Sequence, residues 1–226
     1  VDGYYTDFIG TQGASINTLS NWTEYLTGGS TSRFTIDNDQ LKMFNAGADA
    51  SETYSGATYT LPTAVNTEVV KLEYDLTWSN SNSWNYSYRV WDSSNRESIH
   101  VGGNGTNWNV YVNGSGWDYN SVFTDGTTYH MTQILNFNTN NVRYYIDDVF
   151  LKEISFRDTA ATDIKKIRFG NYGYDTQDKT YYVDNFQITP LISADVLTDD
   201  TATDQAGPNS PTSLSSTTYN TCSNDA

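Results

Sequence analysis

Basic residues are scarce in this chain: 12 Lys and Arg stand against 27 Asp and Glu, a formal net charge of −15. Nucleic acid and anionic membrane surfaces are poor partners for such a surface, since no basic patch can release their counterions. Cysteine is limited to Cys222, so a disulfide framework is excluded. No apolar run approaches the roughly 20 residues of a membrane span, which argues against membrane insertion. The two histidines, His100 and His130, lack zinc spacing with any cysteine. No phosphate-binding glycine loop, no Ser-His-Asp arrangement and no amphipathic helix of three turns is present. The chain begins at Val1 with neither an initiator methionine nor a signal peptide, which reads as a processed or trimmed start.

What the chain does have is aromatics and turn formers. There are 18 Tyr, 6 Trp and 9 Phe in 226 residues, with abundant Asn, Ser, Thr and Gly. Aromatic and β-branched residues favour strands, and Gly, Asn and Asp favour turns. Apolar and polar side chains alternate over Val69–Trp78, Trp84–Trp91, Ser98–Val101, Trp108–Val112 and Tyr129–Phe137, the period-two signature of half-buried strands. Val142–Ile146 and Phe150–Ile154 flank Asp147-Asp148, an acidic pair suited to a hairpin turn. Ser93-Ser94-Asn95, Gly102-Gly103-Asn104-Gly105, Asn113-Gly114 and Asp125-Gly126 punctuate the strands, and the Asn-Gly and Asp-Gly pairs supply positive-φ positions. Many short strands at this spacing predict an all-β, two-sheet antiparallel sandwich or jelly roll over residues 1–190. Residues 191–226 are rich in Ser, Thr and Asp and nearly devoid of large apolar residues. They are expected to form a solvated linker or tail, leading to a further module or a surface anchor.

Several segments carry a family resemblance. Thr128–Gln133 followed by Val142–Asp148 resembles the hairpin of laminin-G-like modules, with Asp148 where that pattern has glycine. Ile167-Arg168-Phe169-Gly170-Asn171 resembles the strand that follows, and Tyr182-Val183-Asp184-Asn185-Phe186 the closing strand. With Asp7-Phe8 and Trp22 near the start, residues 4–189 resemble the concanavalin A-like superfamily of carbohydrate-binding modules and jelly-roll polysaccharide lyases. That resemblance implies a secreted or cell-surface, polysaccharide-recognising protein. It also implies a structural Ca²⁺ near the chain ends, with Asp7 and Asp184 at the corresponding places. The same fold hosts binding modules and enzymes alike.

Three chemistries compete. Hydrolysis by a retaining glycosidase needs two closely spaced carboxyls. Glu73-Tyr74-Asp75 presents two on one strand face and lacks the third acid of the laminarinase-type pattern, so a solvated acidic face is the better reading. β-Elimination on a uronate needs a group that neutralises the carboxylate and one that moves a proton. Jelly-roll alginate lyases carry Gln-Ile-His and Lys-Ala-Gly-x-Tyr strands. This chain has Ser98-Ile99-His100 and Arg168-Phe169-Gly170-Asn171-Tyr172, which nominates His100, Arg168 and Tyr172 as catalytic residues of a lyase. Ser98 in place of Gln is a departure. Binding alone needs aromatic platforms and a few placed polar groups. Trp84, Arg89, Trp91, His130, Arg143, Tyr145, Arg168 and Tyr172 are the candidates, with Trp108 and Trp117 flanking a Gly/Asn loop and Gly170 leaving room for a sugar ring. Polysaccharide recognition is the expected function and a uronate lyase the alternative. A surface or filament building block, cross-linked through Cys222, is a third class.

Overall fold

The computed structural model describes residues 3–6, 8–26, 33–45, 54–79, 84–172 and 178–191, without the side chains of Tyr54, Trp84, Asn85, Tyr119, Asn120, Ser121 and Tyr172. Its strands are β1 (Tyr4–Thr6), β2 (Trp22–Tyr25), β3 (Arg33–Asp37), β4 (Gln40–Asn45), β5 (Tyr54–Val65), β6 (Val69–Thr77), β7 (Trp84–Trp91) and β8 (Glu97–Asn104). They continue with β9 (Asn107–Val112), β10 (Gly116–Val122), β11 (Thr128–Asn136), β12 (Asn141–Ile146), β13 (Val149–Ser155), β14 (Ile164–Tyr172) and β15 (Lys179–Leu191). The only helical turn among the described residues is the 3-10 turn Ile16–Thr18, capped by the Ser15 hydroxyl.

The strands form two antiparallel sheets packed as a sandwich. One runs β13-β12-β11-β6-β15-β4-β3, with β1 beside β15; the other runs β10-β9-β8-β7-β14-β5-β2. Alternation explains which side chains meet. On β6, Val70, Leu72, Tyr74 and Leu76 are buried while Lys71, Glu73, Asp75 and Thr77 face outward. On β7, Tyr86, Tyr88 and Val90 are buried, and Arg89 and Trp91 lie on the other face. The two inner faces meet in an aromatic core: Tyr74 packs on Tyr88 and Phe169 with ring centroids 5.0 Å apart, and Trp78 packs on Tyr86, Phe123 and Tyr181. Each such ring removes a large apolar area from water and prefers the tilted or edge-on geometry seen here. Trp108, expected beside a surface loop, is fully buried against Tyr144 and Phe123.

The hairpin turns have clear chemical causes. Asn38-Asp39 and Asp147-Asp148 are two-residue turns with all four residues at positive φ, between 50° and 63°. Asn and Asp tolerate that conformation better than other non-glycine residues, so Asp148 replaces glycine without opening the turn. Asp147 strengthens it, since its carboxylate accepts from the His130 backbone N–H at 2.8 Å. Gly170 departs from expectation. A Cβ at this position would collide with the backbone carbonyl oxygen of Ser55 on β5. The glycine makes room for the neighbouring strand, not for a sugar ring. The strand pattern ends at Leu191, and the remainder of the expected 191–226 tail lies outside the described residues. Among the described residues no helix is long and apolar enough to cross a membrane.

Candidate functional site

The outer face of the seven-stranded sheet collects the charged residues that register places in one row. Thr23 of β2 pairs with Thr58 of β5, Thr58 with Arg168 of β14, Arg168 with Arg89 of β7, and Arg89 with His100 of β8. Neighbouring strands lie about 4.8 Å apart, so five strands bring these side chains together from positions far apart in the chain. Aromatic rings bound the row at both ends. The Arg168 guanidinium lies 4.8 Å from the Tyr25 ring and 5.1 Å from the Trp91 ring. At the other end Tyr111 stacks on His100 with centroids 5.7 Å apart, and Trp117 meets His100 edge-on at 4.9 Å.

Each arginine is held. Arg168 Nε donates to Thr58 Oγ1 at 2.9 Å, and its aliphatic stem lies over Gly56, where a Cβ would sit 2.7 Å from Cγ and Cδ. Arg89 Nε donates to Ser87 Oγ at 3.2 Å. The centre of the cluster is Glu97, at the start of β8. Its Oε2 lies 2.5 Å from Arg157 Nη1, and its Oε1 lies 3.5 Å from Arg89 Nη1. Arg157 arrives from the loop after β13, stacks its guanidinium 4.6 Å from the Tyr111 centroid, and donates from Nη1 to His100 Nδ1. A guanidinium has only donors, so His100 Nδ1 accepts and the neutral ring keeps its proton on Nε2.

The electrostatics follow from burial among cations. Burial pushes the Glu97 carboxyl above its ordinary range, and Arg89, Arg157 and Arg168 work against that. His100 is driven down to about 2, by burial first and then by the charges of Arg89 and Arg157. Burial and the neighbouring Arg89 lower Arg168 from its ordinary value. The face therefore presents three guanidinium groups and one carboxylate around a neutral imidazole, inside a chain of net charge −15. It can hold an anion by charge-assisted hydrogen bonds and offers ring faces on both sides for a sugar.

Of the residues nominated from sequence, Arg89, Trp91, His100 and Arg168 come together here. Tyr172 follows on β14, its backbone paired with Tyr54, and Trp84 opens β7 opposite Asn104; the side chains of both lie outside the described residues. His130, Arg143 and Tyr145 are elsewhere, on the outer face of the eight-stranded sheet. There His130 Nδ1 meets Asp75 Oδ1 at 2.7 Å and Nε2 lies 3.7 Å from Glu73 Oε1. Arg143 Nε donates to Glu153 at 2.9 Å, and Tyr145 packs against Phe150. Glu73 and Asp75, weighed for hydrolysis, are thus engaged with His130 and lie across the sandwich from the arginines. For calcium, Asp7 lies outside the described residues. Asp184 already accepts from Gln40 Nε2 at 3.2 Å and from the Asn185 backbone at 2.8 Å. No group of three or more His, Cys, Asp or Glu suited to a metal ion occurs among the described residues.

Sequence reasoning missed Glu97, Arg157, Tyr25 and Tyr111. Tyr111 had a weak signal, since it alternates with buried Trp108 and Val110 on β9. Glu97 and Arg157 had none: one is an ordinary strand-opening acid and the other belongs to a loop whose partner lies 57 residues away.

No protein-family model matches the chain, and no curated protein matches it. Among solved structures the same sandwich recurs in carbohydrate-active proteins. A sialidase superposes with a TM-score of 0.63 at 14% identity over 78% of this chain, which spans 18% of that longer one. The apo Crh5 transglycosylase superposes at 0.59 with 14% identity, covering 84% of this chain and 86% of the other. The alginate lyase Aly36B superposes at 0.58 with 15% identity, covering 82% and 96%. At such identities the likeness concerns the fold alone, a sandwich of two antiparallel β-sheets.

Proposed function

We propose that the arginine face of the seven-stranded sheet recognises a uronate-containing polysaccharide outside the cell. The observation that carries this reading is the convergence of Arg89, Arg157 and Arg168 around a single carboxylate, Glu97, in a strongly acidic chain. A local cationic excess on an anionic protein has a ligand-binding rationale, because carboxylates form short charge-assisted bonds with guanidinium groups. Tyr25, Trp91, Tyr111 and Trp117 flank it with the ring surface that pyranoses stack on. Solved neighbours that act on glycans, alginate lyases among them, support the ligand class. Binding of alginate or polygalacturonate, measured by affinity electrophoresis and calorimetry, tests it. Affinity should fall with salt and be absent for neutral glucans; equal binding to neutral and acidic glycans overturns the reading.

A second reading is β-elimination on the same ligand. It is favoured by Arg168 and Arg89 lying side by side in register on the face that β14 extends toward Tyr172. Such a pair would offset the uronate carboxylate while a proton is moved at the adjacent carbon. Elimination creates a conjugated double bond, so ultraviolet absorbance rising on incubation with the same polysaccharides identifies it. Tyr172→Phe should abolish that rise while leaving affinity nearly intact.

A further inference from the structure

Arg157 is the one arginine of the face that a loop supplies, yet it is the most completely held. Its backbone N–H donates to Ser98 O at 3.0 Å and the next N–H, of Asp158, to Glu97 O at 2.7 Å, so the loop runs alongside the start of β8. Its side chain then meets a carboxylate oxygen, an imidazole nitrogen and a ring face at once. We infer that His100 is a positioning residue: its Nδ1 lone pair, together with Glu97 Oε2, holds the Arg157 guanidinium in place as the third anion-binding arginine of the face. The inference rests on the anionic-glycan reading for its purpose, though the coupling itself does not.

Such a role requires a neutral ring, since an imidazolium would turn its Nδ1–H toward a cation. The charged and titratable groups around it enforce that state. Glu97 precedes it on its own strand, Arg89 faces it from β7, Arg157 from the loop and Tyr111 from β9, with the Trp117 ring covering it from β10. Two cations against one carboxylate, in a site where only 5% of the residue is exposed, keep the proton off. His100 is also too covered to be the first group a polysaccharide meets, whereas the Arg157 side chain is 34% exposed. The histidine thus serves from beneath and the arginine reaches outward.

Two histidines make the test tractable. Nitrogen-15 spectra of the imidazoles of the whole chain, with His130 assigned by His130→Gln, should show His100 with a bare Nδ1 and a protonated Nε2. Its signals should not titrate across about pH 5–8, where an ordinary histidine does. Arg157→Ala should return its titration toward that window. A wild-type His100 that carries its proton on Nδ1, or that titrates there, overturns the proposal. With alginate oligosaccharide as the probe, His100→Phe keeps a ring beside Tyr111 but removes the lone pair. It and Arg157→Ala should each weaken binding roughly tenfold, as for loss of one charge-assisted hydrogen bond. The double variant should do no worse than the poorer single one, and His100→Asn, which offers a carbonyl oxygen, should recover much of the loss. Additive losses, or an unaffected His100→Phe, overturn it. Should wild type fail to bind alginate, the ligand reading falls and the ring spectra alone decide the coupling.

Discussion

The two outer faces of the sandwich treat their single histidines in opposite ways. On the seven-stranded sheet His100 sits buried between Arg89 and Arg157 and is held neutral down to about pH 2. On the eight-stranded sheet His130 is more exposed. Burial pulls its value down, but the hydrogen bond to Asp75 and the charges of Asp75, Glu73 and Asp148 outweigh that and raise it. The scaffold is the same and the residue is the same; the sign of the surrounding charge decides. One face sets Arg89, Arg157 and Arg168 around a single carboxylate, and the other sets its histidine among Asp75, Glu73 and Asp148. The arginine face is thus the one that departs from the average charge of the molecule.

The contrast can be broken most severely at Glu97. Glu97→Ala leaves Arg89 and Arg157 partly buried without their carboxylate, and should cost about 3 kcal/mol of stability in chemical denaturation, the scale for splitting a buried pair. A loss below about 1 kcal/mol would place the cluster energetically at the surface.

Acid should sharpen the difference next. His100 is depressed when folded, so its contribution is fully present above the unfolded value of about 6.5 and is lost as pH falls below it. The slope is at most about 1.4 kcal/mol per pH unit, roughly 2 kcal/mol between pH 6.5 and 5. His100→Phe should flatten that slope. Glu97, pushed upward, works in the opposite sense at lower pH.

Binding provides the third comparison. Arg168→Ala should weaken binding to a uronate polysaccharide by about 1.5 kcal/mol, or roughly tenfold. Arg143→Ala, across the sandwich and paired with Glu153, should leave it unchanged. Equal losses would move the ligand off the arginine face. The smallest effect is expected at Asp75. His130 is raised, so its stabilisation is present below about pH 6.5 and lost as pH rises through its folded value. Asp75→Asn should lower the His130 titration in proton NMR and cost less than about 1 kcal/mol, because the pair is solvent-screened.

Much of the fold could be read from the chain because alternation is a local signal. The pattern over Val69–Trp78 alone assigns Tyr74 to the core and Asp75 to the outside, and Asp147-Asp148 announces its own turn. The site was legible only where a strand displayed it. Arg89, Trp91, His100 and Arg168 stand in strands whose alternation is clear, and cross-strand register gathers them. His130, Arg143 and Tyr145 alternate just as well, and nothing in alternation says which of the two sheets a strand joins. Glu97 and Arg157 were invisible for a different reason: their meeting depends on the path of a loop. Gly170 was misread because a glycine in a strand signals close approach without saying whether a ligand or a neighbouring strand approaches.

The strand order carries one more consequence. β14 is the last strand of its sheet to be synthesised, yet it lies in the middle, between β7 and β5. Until it emerges, that sheet exists as two pieces, a β2–β5 pair and a β7–β10 meander, each with a bare edge able to recruit another chain. β14 is the keystone of the arch, and it carries Arg168, whose hydroxyl partner Thr58 lies 110 positions earlier. The step that closes the sheet and removes the hazard is therefore the same step that completes the arginine row. A chain able to grip an anion has, by that fact, finished folding this half of the sandwich, and no fragment that ends before β14 will do either.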